Sequence, residues 1–305
     1  MLTTIAYFVL GLVGLYFGGD WLVKGASNLA RAFRVPPLVI GLTIVGFGTS
    51  TPELLVSVEA AWDGLSGIAV GNVVGSNIAN ILIILGLSAL IAPLSIAFAK
   101  VRDDAGWMML AAVACVPVFW DGAVTRLEGL IFVAGIVTYI LLALRQVGTA
   151  AADDKPAPPV WQSAGFIALG LVTLMVGARL LVDSAVTIAT YFGVSDAIIG
   201  LTIVAIGTSL PELATSVTAA LRGQREIAIG NVVGSNVFNV FAILGITASI
   251  TPIPQIDTRF FQIDTPVMIG VSLVLALLLM LLHGVPRWAG AAFLAGYAAY
   301  VVAMA

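Results

Sequence analysis

IGLTIVGFGTSTPELLVSV, residues 40–58, returns 159 positions later as IGLTIVAIGTSLPELATSV, residues 199–217, with 14 of 19 positions identical. The same offset aligns IAVGNVVGSNIANILIILG (68–86) with IAIGNVVGSNVFNVFAILG (227–245), identical at 13 of 19. Two matches at one offset mark an internal duplication. Each first segment is apolar enough for a bilayer, yet carries glycine, hydroxyls, a proline and a carboxylate, Glu53 or Glu212, near its middle.

The rest of the chain supplies the membrane context. Of 305 residues 60% are hydrophobic and 10% charged, with a mean hydropathy of +1.11. A soluble domain carries about 25% charged residues. Ten apolar stretches suit a hydrocarbon core of about 30 Å crossed as a helix: 4–30, 37–62, 66–92, 105–120, 126–146, 161–189, 196–221, 226–250, 264–283 and 287–304. Five spans separate the two copies, an odd number, so the second half runs through the membrane in the opposite direction. The expected fold is an all-α integral membrane protein of ten transmembrane helices. They form two five-helix inverted-topology repeats, residues 1–147 and 161–305, joined by a polar cytoplasmic linker, GTAAADDKPAPPV, at 148–160. The N-terminus lacks a basic leader region and reads as the first span.

Basic residues orient the spans. Loops 1–2, 3–4, 5–6, 7–8 and 9–10 hold Arg31, Arg34, Lys100, Arg102, Arg145, Lys155, Arg222, Arg225 and Arg287, whereas the opposite loops hold Arg126 and Arg259. This asymmetry places the odd loops in the cytoplasm and both termini outside a cell (inner) membrane. Trp62, Trp107, Trp120, Trp161 and Trp288 fall at predicted helix ends, and His283 reads as interfacial. Asp20 with Lys24, and Arg179 with Asp183, are spaced to neutralise each other along one helix face. The net charge of −3 is thinly spread, with no basic run for nucleic acid, and nothing marks an obligatory protein partner. Cys115 is alone and reads as a packing residue.

A carboxylate near a bilayer centre costs at least about 3 kcal/mol, and neither Glu53 nor Glu212 has a basic residue within helical reach. A mobile cation is the simplest neutraliser, and two carboxylates match one divalent ion. Gly46, Gly48 and Pro52, and Gly207 and Pro211, weaken each helix before the Glu and free backbone carbonyls. Thr49, Ser50, Thr208 and Ser209 add hydroxyls. The GNVVGSN segments contribute Ser76, Asn77 and Asn80, and Ser235, Asn236 and Asn239, while Gly75 and Gly234 permit close helix approach. An all-oxygen set without His or Cys suits Ca²⁺ or Na⁺ and disfavours zinc or copper; compact octahedral Mg²⁺ fits less well. Glu59 and Asp63 lie near the outer mouth.

GTSTPE with GNVVGSNIAN, repeated as GTSLPE with GNVVGSNVFN, resembles the paired repeats of the sodium/calcium exchanger family, within the cation/calcium antiporter superfamily, over nearly the whole chain. The resemblance implies ten helices, with spans two, three, seven and eight around the ions and spans one and six as long, tilted, mobile elements outside. It implies Glu53 and Glu212 as central Ca²⁺ ligands shared with Na⁺. Thr49, Ser50, Thr208, Ser209, Ser76, Ser235 and carbonyls near Gly46 and Ala205 are implied as further ligands. Asn80 and Asn239 are both amides, where some potassium-dependent relatives carry Asp at the second position, so exchange without K⁺ is expected. The short linker leaves no room for a large regulatory domain, as in compact prokaryotic members. No cofactor is expected; Ca²⁺ and Na⁺ are the transported ions. A proton/calcium exchanger of the same fold is the nearest alternative, disfavoured by hydroxyls that a proton does not need. A channel fits poorly with an inverted repeat of broken helices, and no catalytic constellation suggests an enzyme.

Overall fold

The computed structural model describes residues 2–145, 158–193 and 207–304. Most of the 148–160 linker, the start of the 196–221 span and Ala205 lie outside these residues. The described chain is almost wholly helical: α1 (Leu2–Phe33), α2 (Pro37–Thr49), α3 (Thr51–Trp62), α4 (Ser66–Ile91), α5 (Phe98–Phe119), α6 (Arg126–Leu144), α7 (Val160–Tyr191), α8 (Leu210–Leu221), α9 (Arg225–Ile250), α10 (Phe260–Leu282) and α11 (Arg287–Met304). Among the described residues six helices are long and apolar enough to cross a membrane, and α2 with α3 makes a seventh if the bent pair is one span.

Burial sorts the helices into a centre and a shell. The most apolar 18-residue window is 100% buried in α9 and 72% buried in α4, against 22% in α1 and 28% in α6, α7 and α10. The duplicated GNVVGSN helices therefore form the middle of the molecule. The shell exposes rows of large apolar side chains, including Val9, Leu12 and Tyr16 on α1 and Leu169, Val172 and Val176 on α7. Such rows are stable only against lipid.

α1 and α7 lie against each other through glycines. A Cβ added at Gly11 would sit 2.8 Å from the Gly177 carbonyl oxygen, and one at Gly170 would sit 2.6 Å from the Leu22 nitrogen. Lipid tails are as apolar as Leu, so backbone approach and van der Waals contact carry this packing.

The helix ends gather into two groups. At one end the short strands β1 (Leu94–Ser95) and β2 (Gly284–Val285) pair antiparallel, Arg225 donates to Ser95 Oγ at 2.8 Å, and Lys100 pairs with Glu226 at 2.6 Å. At the other end Val124 bridges Ile253, and Ser66 Oγ donates to the Pro254 carbonyl. The first group holds loops rich in Lys and Arg and is called the basic end below.

Several local expectations change. α5 starts at Phe98, seven residues before the predicted 105, because its charged first turns find partners: Lys100 with Glu226, Arg102 with Asp103, and buried Asp104 with the Tyr139 hydroxyl at 3.2 Å. Trp107 consequently lies inside α5, packed on Tyr139 and Phe241 at 5.7 and 6.0 Å, and not at a helix end. Trp62, Trp120, Trp161 and Trp288 do lie exposed at ends. Asp20 does not pair with Lys24. It pairs with Arg222 beyond α8, while Lys24 Nζ sits 4.5 Å from the Phe166 ring centroid. Arg179 and Asp183 do meet, at 3.8 Å. Cys115 is buried and donates to the Ala111 carbonyl.

Candidate functional site

The site forms where both copies of the duplicated segment break. Ser50 and Ser209 leave the helical region at φ −85°, ψ 5° and φ −88°, ψ 7°. Pro52 and Pro211 occupy the first turns of α3 and α8, where the missing N–H costs nothing. α2 and α3 meet at 44° around Ser50. A π-helical turn over Gly41–Val45 precedes that break, and matched π turns start at Asn80 in α4 and Asn239 in α9. Such turns interrupt regular helix pairing and frequently accompany functional sites.

The breaks bring the two glutamates into each other's half. Ser50 Oγ donates to Glu212 Oε1 at 3.0 Å, and Ser209 Oγ donates to Glu53 Oε1 at 3.2 Å. The Thr49 and Thr208 hydroxyls also face the Glu212 and Glu53 carboxylates, respectively. Both glutamates are 1% exposed. No Lys or Arg pairs with either one among the described residues. Thr49 Oγ1 additionally meets the Val45 and Gly46 carbonyls at 3.1 and 3.3 Å, and the Gly46 carbonyl accepts the Ser50 N–H.

The GNVVGSN helices cross beside the carboxylates through four amides. Asn77 and Asn236 each donate to the other's backbone carbonyl at 3.2 Å. Asn80 Nδ2 donates to Asn236 Oδ1 at 3.0 Å, and Asn239 Nδ2 donates to Asn77 Oδ1 at 2.9 Å. Asn77 Nδ2 also approaches Met268 Sδ at 3.5 Å. Among the described residues none of these donations reaches the Asn80 or Asn239 oxygens. These two oxygens, Glu53 Oε2, Glu212 Oε2 and Ser235 Oγ are all buried without a hydrogen-bond partner among the described residues. Ser76 is also buried.

Close packing fixes the geometry. A Cβ on Gly234 would fall 2.3 Å from the Leu42 carbonyl oxygen, so α2 rests directly on the α9 backbone beside Ser235. A Cβ added at Gly75 would meet no described atom of another segment within 4 Å, and the residue equivalent to Leu42 falls in 194–206.

The structure adds residues that sequence reading had passed over. Asn72 Nδ2 donates to the Glu53 carbonyl and to Ser57 Oγ, both at 2.8 Å. Asn231 Nδ2 donates to the Glu212 carbonyl at 3.3 Å and to Ser216 Oγ at 2.9 Å. These asparagines tie the turn carrying each glutamate to its neighbouring helix. Their signal was present: the first Asn of GNVVGSN and the Ser of the TPE helix are duplicated at the same offset. Asn77 and Asn236, read as ligand amides, spend their polar atoms on each other's segments and act as the cross-brace.

Comparison with known proteins agrees with the chain-wide pattern. The family described as sodium/calcium exchanger protein matches residues 3–145 and 162–305. The chain is 39% identical over 290 residues to inner membrane protein YrbG of Escherichia coli (strain K12), covering 91% of this chain and 89% of that one. It is 33% identical over 341 residues to sodium/calcium exchanger MaX1 of Methanosarcina acetivorans, covering 97% of each. A solved structure of the sodium-calcium exchanger NCX_Mj, soaked with zero Na⁺ and Ca²⁺, superposes with a TM-score of 0.88 at 34% identity, covering 100% of this chain and 99% of that one. With matches over both halves and close structural likeness throughout, the chain belongs to the sodium/calcium exchanger protein family.

Proposed function

We propose that this protein exchanges Na⁺ for Ca²⁺ across a cell membrane by alternating access at a site built on Glu53 and Glu212. One observation carries the reading: buried oxygens of Glu53, Glu212, Asn80, Asn239 and Ser235 have no hydrogen-bond partner among the described residues. A buried polar atom left unpaired costs about 1–3 kcal/mol, and more when charged. Ca²⁺ takes roughly 6 to 8 oxygens and supplies the charge that two carboxylates lack. Thr49, Ser50, Thr208, Ser209 and Ser76, with carbonyls at Gly46 and Ala205, complete a set that Na⁺ can share.

The ten spans form two inverted five-helix repeats, 1–147 and 161–305, joined by the 148–160 linker. The matched hydrogen bonds at the 159-residue offset support that architecture. So does the gathering of the 2–3 loop at one end and its repeat equivalent, the 7–8 loop, at the other. The basic end is cytoplasmic and both termini are outside. Two ion-free carboxylates in a dry interior resist conformational exchange, so passage requires Ca²⁺ or Na⁺ and exchange is obligatory. Asn80 and Asn239 add no charge, and K⁺ is not required.

Proteoliposomes separate the coupling ions. Ca²⁺ uptake is expected under an imposed Na⁺ gradient and not under an imposed pH gradient. Uptake driven only by pH would assign the site to Ca²⁺/H⁺ exchange.

The supporting asparagines give an independent check. Asn231→Ala releases the Glu212 carbonyl and Ser216, and with them the Thr49 hydroxyl, which donates to Asn231 Oδ1 at 3.2 Å. Residues that orient ligands typically carry about 10–100-fold in metal affinity. Asn231→Ala, and Asn72→Ala by the matched geometry, are therefore expected to weaken Ca²⁺ in a binding titration by about that factor, with the protein still folded. Unchanged affinity in both would remove these residues from the site.

A further inference from the structure

The two ends of the molecule carry the same electrostatic device with its charges reversed. At the basic end Asp20 of α1 pairs with Arg222, the residue after α8. Advancing Asp20 by 159 gives Arg179 on α7, and moving Arg222 back by 159 gives Asp63, the residue after α3. An acid on the long helix and a base after the TPE helix thus become a base on the long helix and an acid after the TPE helix. The neighbour follows the same rule, since Lys24 corresponds to Asp183.

The two pairs are in different states. Asp20 is 18% exposed and α8 lies against α1, where a Cβ on Gly19 would meet Thr218 Oγ1 at 2.9 Å. At the opposite end the equivalent face of α3, with Leu55, Glu59, Trp62 and Asp63, is exposed. Arg179 is 86% exposed and interacts with Asp183 of its own helix. Among the described residues no cation pairs with Asp63.

We infer that Asp20–Arg222 and Arg179–Asp63 are alternate latches, one closing each end and only one made at a time. The inference rests on the alternating-access reading proposed above. In an inverted repeat the second conformation arises when the two halves exchange their arrangements. That exchange carries Arg179 to the position of Asp20 and Asp63 to that of Arg222, forming the second pair and breaking the first. α1 and α7 are joined through their glycines, so Asp20 and Arg179 ride on one unit. Asp183 holds Arg179 while its latch is open, and Lys24 resting on Phe166 leaves Asp20 to Arg222. Each latch balances the free energy lost at the other, so closing either end stays reversible.

Two reporter cysteines test this in the full chain lacking Cys115 (Cys115→Ala). Leu55→Cys reports the face exposed here and Ala214→Cys its covered equivalent, each read by maleimide labelling rate. Losing a partly exposed ion pair shifts an equilibrium by up to about fivefold. Asp20→Asn or Arg222→Gln is expected to raise labelling at 214 relative to 55 by roughly that factor. Arg179→Gln or Asp63→Asn is expected to lower it. The exchange Asp20→Arg with Arg222→Asp should restore the parental ratio. If neutralisation at the two ends leaves the ratio unchanged, or moves it in one direction, the latches are refuted. A parental ratio insensitive to Na⁺ and Ca²⁺ would refute alternating access and the latches with it. A ratio that responds to the ions but ignores these variants refutes the latches alone.

Discussion

Glu53→Gln and Glu212→Gln are each expected to reduce Na⁺-driven Ca²⁺ uptake in proteoliposomes about a hundredfold or more. Glutamine keeps the size of the side chain and an oxygen for the Ser209 or Ser50 hydroxyl, so the packing survives. What disappears is one of two negative charges in a site that is 1% exposed at both carboxylates. Removing one partner of a buried charge pair costs about 3–5 kcal/mol, and each 1.4 kcal/mol is tenfold in affinity. The matched environments predict comparable losses from the two substitutions. Parental uptake in either variant, with intact protein in the liposomes, would remove that glutamate from the transport site.

The second large effect is structural. Gly234→Ala places a Cβ 2.3 Å from the Leu42 carbonyl oxygen and 2.6 Å from its Cα. These are backbone atoms, and no side-chain rotation relieves them. Overpacking in a tight core costs about 1–3 kcal/mol and occasionally more. α9 is buried along its whole apolar window, so little room is left for relaxation. Thermal unfolding in detergent is expected to show a loss of about 3 kcal/mol, with weaker Ca²⁺ binding because Ser235 is the next residue. Gly270→Ala is the control, since nothing lies within 4 Å of a Cβ there, and it should unfold with the parent. Equal stability of the two variants would contradict this packing.

The duplicated motifs make most residues of the candidate site legible in the sequence. Glu53, Ser50, Glu212 and Ser209 were found together because a carboxylate in an apolar segment is costly and occurs once in each copy. The pairing across the halves was less legible. Asn77 could be named as a polar residue on a buried helix, but whether its amide faces an ion or Asn236 depends on where α9 crosses α4. Asn72 and Asn231 were visible as repeated letters without a task, since a hydrogen bond to the carbonyl of Glu53 or Glu212 is a contact between segments 19 residues apart. Local spacing misled at Asp20: Lys24 is within reach along the helix, yet Arg222 arrives from across the fold.

By itself the sequence determined the membrane environment, the positions of the repeats and which polar residues are candidates for a site. These follow from composition, from a constant offset and from the cost of charge in lipid, all additive along the chain. Tertiary structure decided which polar atoms satisfy one another, and which buried oxygens are left without a partner among the described residues. It also decided which of two symmetry-equivalent charge pairs is made. The repeat gives both ends the same potential contacts, and only the placement of α1 and α7 against α8 and α3 selects between them.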